Sequence, residues 1–131
     1  MTPRNNRNID NRKTDDMDKI QATATFPNIA PTNRAAFKDL VKKAIDIATA
    51  EPETLQYDWF SNVDETRWIV REAYANSDAV LAHMGNLGEL IGQLAELGGG
   101  LEIEAFGNVS PQLLEAAAAL QPVIYGFFQG K

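Results

Sequence analysis

The chain has 131 residues, of which 44% are hydrophobic and 23% are charged, a composition typical of one globular domain rather than of a disordered or fibrous protein. Its net charge of −6 repels phosphate backbones and anionic lipids, so neither nucleic acid nor a membrane is an expected partner. The chain has no cysteine, which excludes disulfides, thiolate metal sites and a thiol nucleophile.

The chain carries no recognisable targeting segment. No apolar run approaches the roughly 18 residues that a membrane span needs, and the first residues lack the apolar core of a secretory signal. We therefore expect a cytoplasmic protein. Residues 1–18 are polar and rich in both charges and predict a disordered tail, with a docking arm as the alternative. Residues 19–131 are predicted to form a single domain.

The first predicted elements are a strand and a helix. Apolar and hydroxyl side chains alternate over residues 19–26, which indicates a half-buried strand. A helix is predicted from Asn33, a candidate N-cap, to the region of Pro52, because apolar residues from Phe37 to Ala48 recur on one helical stripe. The strand and the helix begin an α+β arrangement.

A hairpin and a second helical region follow. Aromatic and aliphatic residues alternate over 55–61 and 67–74, with a polar turn between them, and predict two antiparallel strands. A long helical pattern starts at Ser77. Its three glycines predict a break or kink around residues 85–92, because each weakens a helix interior by up to about 1 kcal/mol. Alternation over 101–106 predicts a fourth strand.

The C-terminal residues predict a helical extension. Ser110 and Pro111 are typical of a helix start, and the helix should run to about Leu120, followed by an apolar segment at 123–128. The element order β-α-β-β-α-β predicts a ferredoxin-like fold with a four-stranded antiparallel sheet. Two helices cover only one face of such a sheet, so the other face should meet the extension or a second subunit. A dimer is the simpler solution.

Four short segments of the chain form a recognisable combination. They are Glu51-Pro52-Glu53-Thr54-Leu55-Gln56-Tyr57, Glu72-Ala73-Tyr74, Ser77-Asp78-Ala79 and Ala82-His83. Together they resemble the antibiotic biosynthesis monooxygenase family of dimeric α+β barrel proteins, and the likeness covers roughly residues 19–106.

The resemblance implies a homodimer whose two sheets face each other, with a pocket between sheet and helices in each subunit. It also implies several chemistries, since the family includes cofactor-free oxygenases of quinols and phenols, haem-degrading enzymes and an isomerase branch. Haem-degrading relatives use a Trp on the second helix, and here both tryptophans, Trp59 and Trp68, lie in the hairpin. Asn28 is the only match to their first-strand Asn. We therefore expect neither haem nor any other cofactor.

Three side chains are candidates for catalysis. His83, the only histidine, lies at the border of the apolar stripe of its helix, and an imidazole with a pKa of about 6.5 suits proton transfer from a phenol. The alternative is a boundary histidine bonded to backbone or water. Glu72 and Tyr74 share a strand face. Glu72 is a candidate base or a candidate partner that orients His83; the alternatives are an ion pair with an arginine such as Arg34, or a dimer contact.

Five further residues are candidates for substrate binding. Tyr57 and Trp59 share a strand face on which a flat aromatic substrate could stack, although core or dimer packing also explains them. Thr23 and Thr25 supply hydroxyls that could orient polar groups. Asn28 is included for its position just past the first strand. A lone histidine makes a metal site improbable.

The sequence supports three hypotheses about function. The first is a cofactor-free monooxygenase that acts on a quinol or an aromatic phenol. The second is a non-catalytic, ligand-binding or stress-associated dimer. The third is an isomerase or lyase that acts on a small carbonyl compound with the same acid–base groups. Convergence of His83, Glu72 and Tyr74 on one pocket would favour an enzyme.

Overall fold

A computed structural model describes residues 17–131, and it contains five strands and four α-helices. The predicted disorder of residues 1–18 therefore lies, except for its last two residues, outside the described residues. Short 3₁₀ turns precede the first helix, at Pro31–Asn33, and follow the last, at Ala118–Leu120. The strands are β1 (Ile20–Phe26), β2 (Thr54–Ser61), β3 (Trp68–Tyr74), β4 (Glu102–Phe106) and β5 (Val123–Tyr125), and the helices are α1 (Arg34–Thr49), α2 (Ser77–Leu87), α3 (Leu90–Leu97) and α4 (Pro111–Ala117).

The five strands form one sheet in the order β2-β3-β1-β4-β5. The pairs β1–β3, β1–β4 and β2–β3 are antiparallel, as the ferredoxin-like prediction requires. The predicted four-stranded antiparallel sheet is nevertheless wrong in one respect, because β5 adds a fifth strand parallel to β4. Gln121 adopts a left-handed conformation with φ 51° just before this strand. The chain then runs beside β4 and pairs the backbone of an edge that would otherwise be open.

The two faces of the sheet differ in what covers them. Side chains alternate between the faces along each strand, and the face with Ile20, Ala24 and Phe26 packs under the helices. The opposite face, called the outer face below, carries Thr23 and Thr25 from β1 and is not covered by any helix within residues 17–131. The C-terminal extension leaves this face open, since α4 packs on α2 and β5 lies at the sheet edge.

An aromatic cluster forms the centre of the core. Phe37 of α1 is fully buried and meets Phe26, Trp59 and Trp68, with ring centroids 5.4, 6.2 and 5.6 Å away. Phe26 and Trp59 also stack, at 5.5 Å and 13°. Large aromatic rings contribute much of the apolar area that a small domain can bury. This cluster fixes α1 against β2 and β3.

The predicted break in the second helical region is confirmed. The helix α2 ends at Leu87 and α3 begins at Leu90, because Gly88 takes a positive φ of 53° that other residues rarely adopt. Ser110 caps α4 by accepting a hydrogen bond from the Leu113 N–H. Asn33 occupies the predicted N-cap position of α1, but its side chain makes no capping hydrogen bond, because the preceding 3₁₀ turn leads directly into the helix.

Candidate functional site

A cavity of about 110 Å³ lies between the inner sheet face and the helices α2, α3 and α4. Its wall is almost entirely apolar, with contributions from Ala22, Ala24 and Val70 of the sheet and Leu87 of α2. The ionisable groups in the wall are Glu72, His83 and the two tyrosines of the strands, Tyr57 and Tyr74. The cavity offers many times the space of one buried water, and apolar cavities of roughly 150 Å³ hold a single benzene ring.

His83 lies on α2 with its ring in the cavity wall and only 4% of its surface exposed. Its Nδ1 is 2.7 Å from Oε1 of Glu51, which follows α1 in the loop before β2. Because an ionised carboxylate only accepts hydrogen bonds, the proton of the neutral ring lies on Nδ1, which donates a hydrogen bond to Glu51. The neutral ring then has its lone pair on Nε2. Nε2 has no hydrogen-bond partner among the described residues.

Glu51 is held by hydrogen bonds from three directions. Besides His83, the Thr54 hydroxyl donates to its Oε1 at 2.8 Å and the Asn86 amide donates to its Oε2 at 2.8 Å. Burial would raise the pKa of the Glu51 carboxyl, but the bonds from Asn86, His83 and Thr54 outweigh burial and hold that pKa below its ordinary value. Glu51 is therefore an ionised partner that fixes the imidazole tautomer.

Glu72 and Tyr74 form a second pair on β3. The Tyr74 hydroxyl donates to Oε1 of Glu72, and the Tyr74 ring, which is fully buried, lies 5.5 Å from the His83 ring. Burial raises the pKa of Glu72 above its ordinary value, although the Tyr74 hydrogen bond and the nearby His83 oppose the rise. Burial, followed by the charge of Glu72, also raises the pKa of Tyr74 above its usual range. The cavity thus contains one carboxyl group whose burial disfavours the charged form.

Tyr57 and Trp59 of β2 line the same cavity. The Tyr57 ring lies 4.9 Å from His83 and 5.9 Å from Trp59, edge to face in both cases. Burial and the charge of Glu72 raise the pKa of Tyr57 above its usual range. The indole Nε1 of Trp59 is buried without a hydrogen-bond partner among residues 17–131.

The structure does not bring the other predicted binding residues to the cavity. Thr23 and Thr25 lie on the outer face, where the Thr23 hydroxyl meets Oε1 of Glu104 at 3.4 Å. Asn28 is exposed beyond β1, and its backbone N–H donates to the carbonyl of Gly98 at 2.9 Å. These three residues therefore do not converge with His83, Glu72 and Tyr74, which line one cavity.

The sequence interpretation missed the role of Glu51. It offered Glu72 as a base or as a partner that orients His83, but the structure joins Nδ1 of His83 to Glu51 and pairs Glu72 with Tyr74. No ion pair joins Glu72 to Arg34 in the part of the chain that the structure describes. Glu51 is a polar residue in a loop, 32 positions before His83, so no local pattern could have indicated the contact.

The C-terminal extension also contributes to the cavity. Leu113 of α4 and Ile124 of β5 lie in the wall, beyond the region of the family likeness. The start of α4 at Ser110 and Pro111 was predicted from the sequence, but the surface that the helix covers was not. The extension closes the side of the cavity that the ferredoxin-like core leaves open.

No metal-binding cluster and no membrane helix was found in this part of the chain. Within residues 17–131, no group of three or more His, Cys, Asp or Glu side chains is arranged to hold a metal ion. None of the helices in that range is both long and apolar enough to cross a bilayer.

Comparison with known proteins gives a family match over the first five strands and helices, from β1 to α2. The model of the family described as antibiotic biosynthesis monooxygenase matches residues 20–88, which span β1 to the end of α2 and include Glu51, Glu72 and His83. Among curated protein sequences, none matches this chain significantly.

Solved structures share the fold. MupZ from Pseudomonas fluorescens superposes with a TM-score of 0.71 at 23% identity, over 86% of this chain and 93% of MupZ. Rv0793 from Mycobacterium tuberculosis superposes with a TM-score of 0.62 at 21% identity, over 70% of this chain and 96% of Rv0793. A Caulobacter crescentus CB15 protein named for the same family superposes with a TM-score of 0.56 at 22% identity, over 77% of this chain and 99% of that protein. At these identities the likeness concerns the fold.

Proposed function

Since this chain belongs to the antibiotic biosynthesis monooxygenase family, we propose that it is a cofactor-free monooxygenase that oxidises a small aromatic phenol or quinol in the cavity. His83 is the proposed base, Glu72 and Tyr74 are the proposed polar groups at the substrate, and Tyr57 and Trp59 are the proposed aromatic walls. Glu51 is proposed as the residue that positions His83.

One observation carries the proposal: a histidine, held through Nδ1 by an ionised carboxylate, lines a largely apolar cavity. The Glu51 contact sets the tautomer in which Nε2 can accept a proton, as the carboxylate does in catalytic triads. Removal of a proton by a positioned base typically accelerates a reaction by about 10²- to 10⁴-fold.

The proposed reaction needs a base, a dry cavity and dioxygen. His83 takes the hydroxyl proton of the phenol, and the resulting anion is electron-rich enough to reduce dioxygen. One oxygen atom enters the ring as a second carbonyl and the other leaves as water, so that phenol and dioxygen give quinone and water. The protein contributes positioning, exclusion of water and proton transfer.

The size and lining of the cavity support a substrate of about one ring. Its volume of about 110 Å³ is below that of the roughly 150 Å³ cavities that hold benzene, so a polycyclic compound would require the walls to move. The Tyr57 ring, edge-on to His83, offers an aromatic contact that suits a flat ligand.

The proposal includes a homodimer in which the outer faces of two sheets meet. It rests on the family, on the helices lying on one face only, and on apolar side chains such as Phe60 and Phe106, which are 54% and 37% exposed on the outer face. A cytoplasmic location remains part of the proposal, as predicted from the sequence.

Oxygen consumption with simple quinols and phenols tests the proposed function. The purified chain is expected to consume dioxygen, and His83→Ala is expected to lower the rate by about 10²-fold or more. Gln93→Ala, on the exposed side of α3, is the matched control and should keep the wild-type rate. A rate in His83→Ala equal to wild type would remove His83 from the mechanism.

The same assay separates the alternative functions. Ligand binding without oxygen uptake or product would support the non-catalytic binder. Conversion of a small carbonyl compound under anaerobic conditions would instead support an isomerase or lyase that uses the same acid–base groups.

A further inference from the structure

The two carboxyl groups near His83 occupy different electrostatic surroundings. Glu51 accepts hydrogen bonds from three side chains and is ionised. Glu72 lies in the apolar wall and accepts one bond, from Tyr74. Groups whose surroundings drive their protonation states apart are typical of an acid and a base that work together.

The geometry of Glu72 leaves one oxygen available to a ligand. Tyr74 occupies Oε1, and no side chain of the described residues bonds Oε2. In the neutral acid, the carbonyl oxygen accepts the Tyr74 hydroxyl and the O–H group lies on the other oxygen. A neutral carboxyl group in an apolar cavity can therefore donate a hydrogen bond.

We propose that Glu72 donates a hydrogen bond to an acceptor oxygen of the substrate, so that the preferred ligand is a one-ring phenol that also carries a carbonyl group. The phenol proton goes to Nε2 of His83 and the carbonyl oxygen accepts from Glu72. Negative charge from the lost proton is delocalised onto that carbonyl, where the Glu72 donor stabilises it. This inference rests on the proposed function in one point only, which is that the cavity binds the substrate.

The groups that face Glu72 agree with this role. They are Tyr74 on its own strand, Tyr57 on β2, His83 on α2 and Glu51 in the loop after α1. The negative charge of Glu51 and the burial of Glu72 both raise the pKa of Glu72. Two tyrosines with raised pKa values stay neutral beside it. The Tyr74 hydrogen bond and the imidazole favour an ionised Glu72, but burial outweighs them and the pKa of Glu72 is raised.

Anaerobic calorimetric titration with two phenols of similar shape tests the inference. The wild-type chain is expected to bind 4-hydroxybenzaldehyde about fivefold more tightly than 4-methylphenol. This ratio corresponds to the net free energy of one ordinary hydrogen bond. Glu72→Gln, whose amide also donates, should keep this preference, and Glu72→Leu should lose it. Glu96→Gln, the same chemical change on an exposed part of α3, should leave both affinities unchanged.

The pH dependence provides a readout that a structural role of Glu72 would not give. As the pH rises through the raised pKa of Glu72, the wild-type preference should disappear, because an ionised carboxylate no longer donates. Glu72→Gln should keep its preference over the same range, and ionisation of the phenol affects both proteins alike. Equal affinities of the wild type for the two phenols, or failure of both to bind, would overturn the inference.

Because the titration uses no oxygen, its outcome is independent of the oxygenase assay. A carbonyl preference in a protein that consumes no dioxygen would leave this inference standing and refute the monooxygenase. Oxygen uptake in a protein without the carbonyl preference would support the monooxygenase and refute this inference.

Discussion

Glu51 and Glu72 are both partly buried near one imidazole, and as the pH rises one should stabilise the folded protein and the other should destabilise it. A carboxyl group whose pKa is lowered by folding stabilises the folded protein at pH values above its unfolded pKa. A carboxyl group whose pKa is raised by folding destabilises it there. The two residues therefore give distinguishable signatures in the same experiment, provided that protein concentration is held constant.

Glu51→Gln is expected to destabilise the protein by about 1–3 kcal/mol at neutral pH, because charge-assisted hydrogen bonds from His83, Thr54 and Asn86 are weakened. The stabilisation by Glu51 is complete above its ordinary pKa of 4.5 and is lost as the pH falls through the lowered folded pKa. Urea unfolding over a pH series should show that the difference in the free energy of unfolding between wild type and variant becomes smaller below pH 4.5. A difference that stays constant at acid pH would contradict the lowered pKa of Glu51.

Glu72→Gln is expected to stabilise the protein at neutral pH. The Glu72 carboxyl group must either ionise in an apolar wall or take up a proton on folding, and both cost free energy that glutamine does not cost. The wild type should lose stability as the pH rises above 4.5, the ordinary pKa of Glu72, until it passes the raised folded pKa. Each unit of difference between the two pKa values is worth about 1.4 kcal/mol. The advantage of the variant should therefore grow with pH in the same urea series. A stabilisation by Glu72→Gln that is largest at acid pH would contradict the raised pKa of Glu72.

At the scale of the elements, Gly88 sets the direction of the chain between α2 and α3. Its φ of 53° is unfavourable for a residue with a Cβ, although the nearest atom to that Cβ, the Gly85 carbonyl oxygen, is at an ordinary 3.7 Å. Gly88→Ala should therefore cost about 1–2 kcal/mol through backbone strain alone. Gly92→Ala, where a Cβ would meet nothing within 4 Å, should stabilise α3 by up to about 1 kcal/mol. Thermal unfolding compares the two, and equal shifts would refute the strain.

Most of the elements could be predicted because their signals are local. The alternation of β1 assigned Ile20, Ala24 and Phe26 to one face, and the glycines located the break between α2 and α3. The fifth strand could not be predicted, because three residues, Val123–Tyr125, are too few to display a period. Its pairing depends on the open edge of β4, which exists only in the folded sheet.

The site was predictable in part for the same reason. Tyr57, Glu72, Tyr74 and His83 follow from strand alternation and helix position, and all line the cavity. Thr23 and Thr25 follow from the same alternation, which places them on the opposite face of β1, so their assignment to the substrate was in conflict with the pattern itself. The Glu51 contact depends on the arrangement of three elements and has no signature in the sequence.

At the scale of the whole molecule, the outer face of the sheet determines how the chain should assemble. Phe106 of β4 and Tyr125 of β5 stack there, with ring centroids 5.3 Å apart, and both remain substantially exposed. Burial of apolar area stabilises association by about 25 cal/mol for each Å² removed from water. A sheet with helices on one side only has its remaining apolar side chains available for a second copy of the chain.

The proposed dimer predicts that Phe106→Glu yields a monomer. A carboxylate at this position would have to be desolvated between two facing sheets, and its burial without a partner costs several kcal/mol, whereas in a monomer it would lie in water. Light scattering after gel filtration should give twice the mass of the 14.4 kDa chain for the wild type and a mass near that of one chain for the variant. Val63→Glu, the same kind of change at a fully exposed position in the turn between β2 and β3, is the control and should remain dimeric. A wild-type chain that elutes as a monomer, or a Phe106→Glu variant that stays dimeric, would contradict assembly through the outer face, because the first leaves the apolar side chains without a partner and the second places the contact elsewhere.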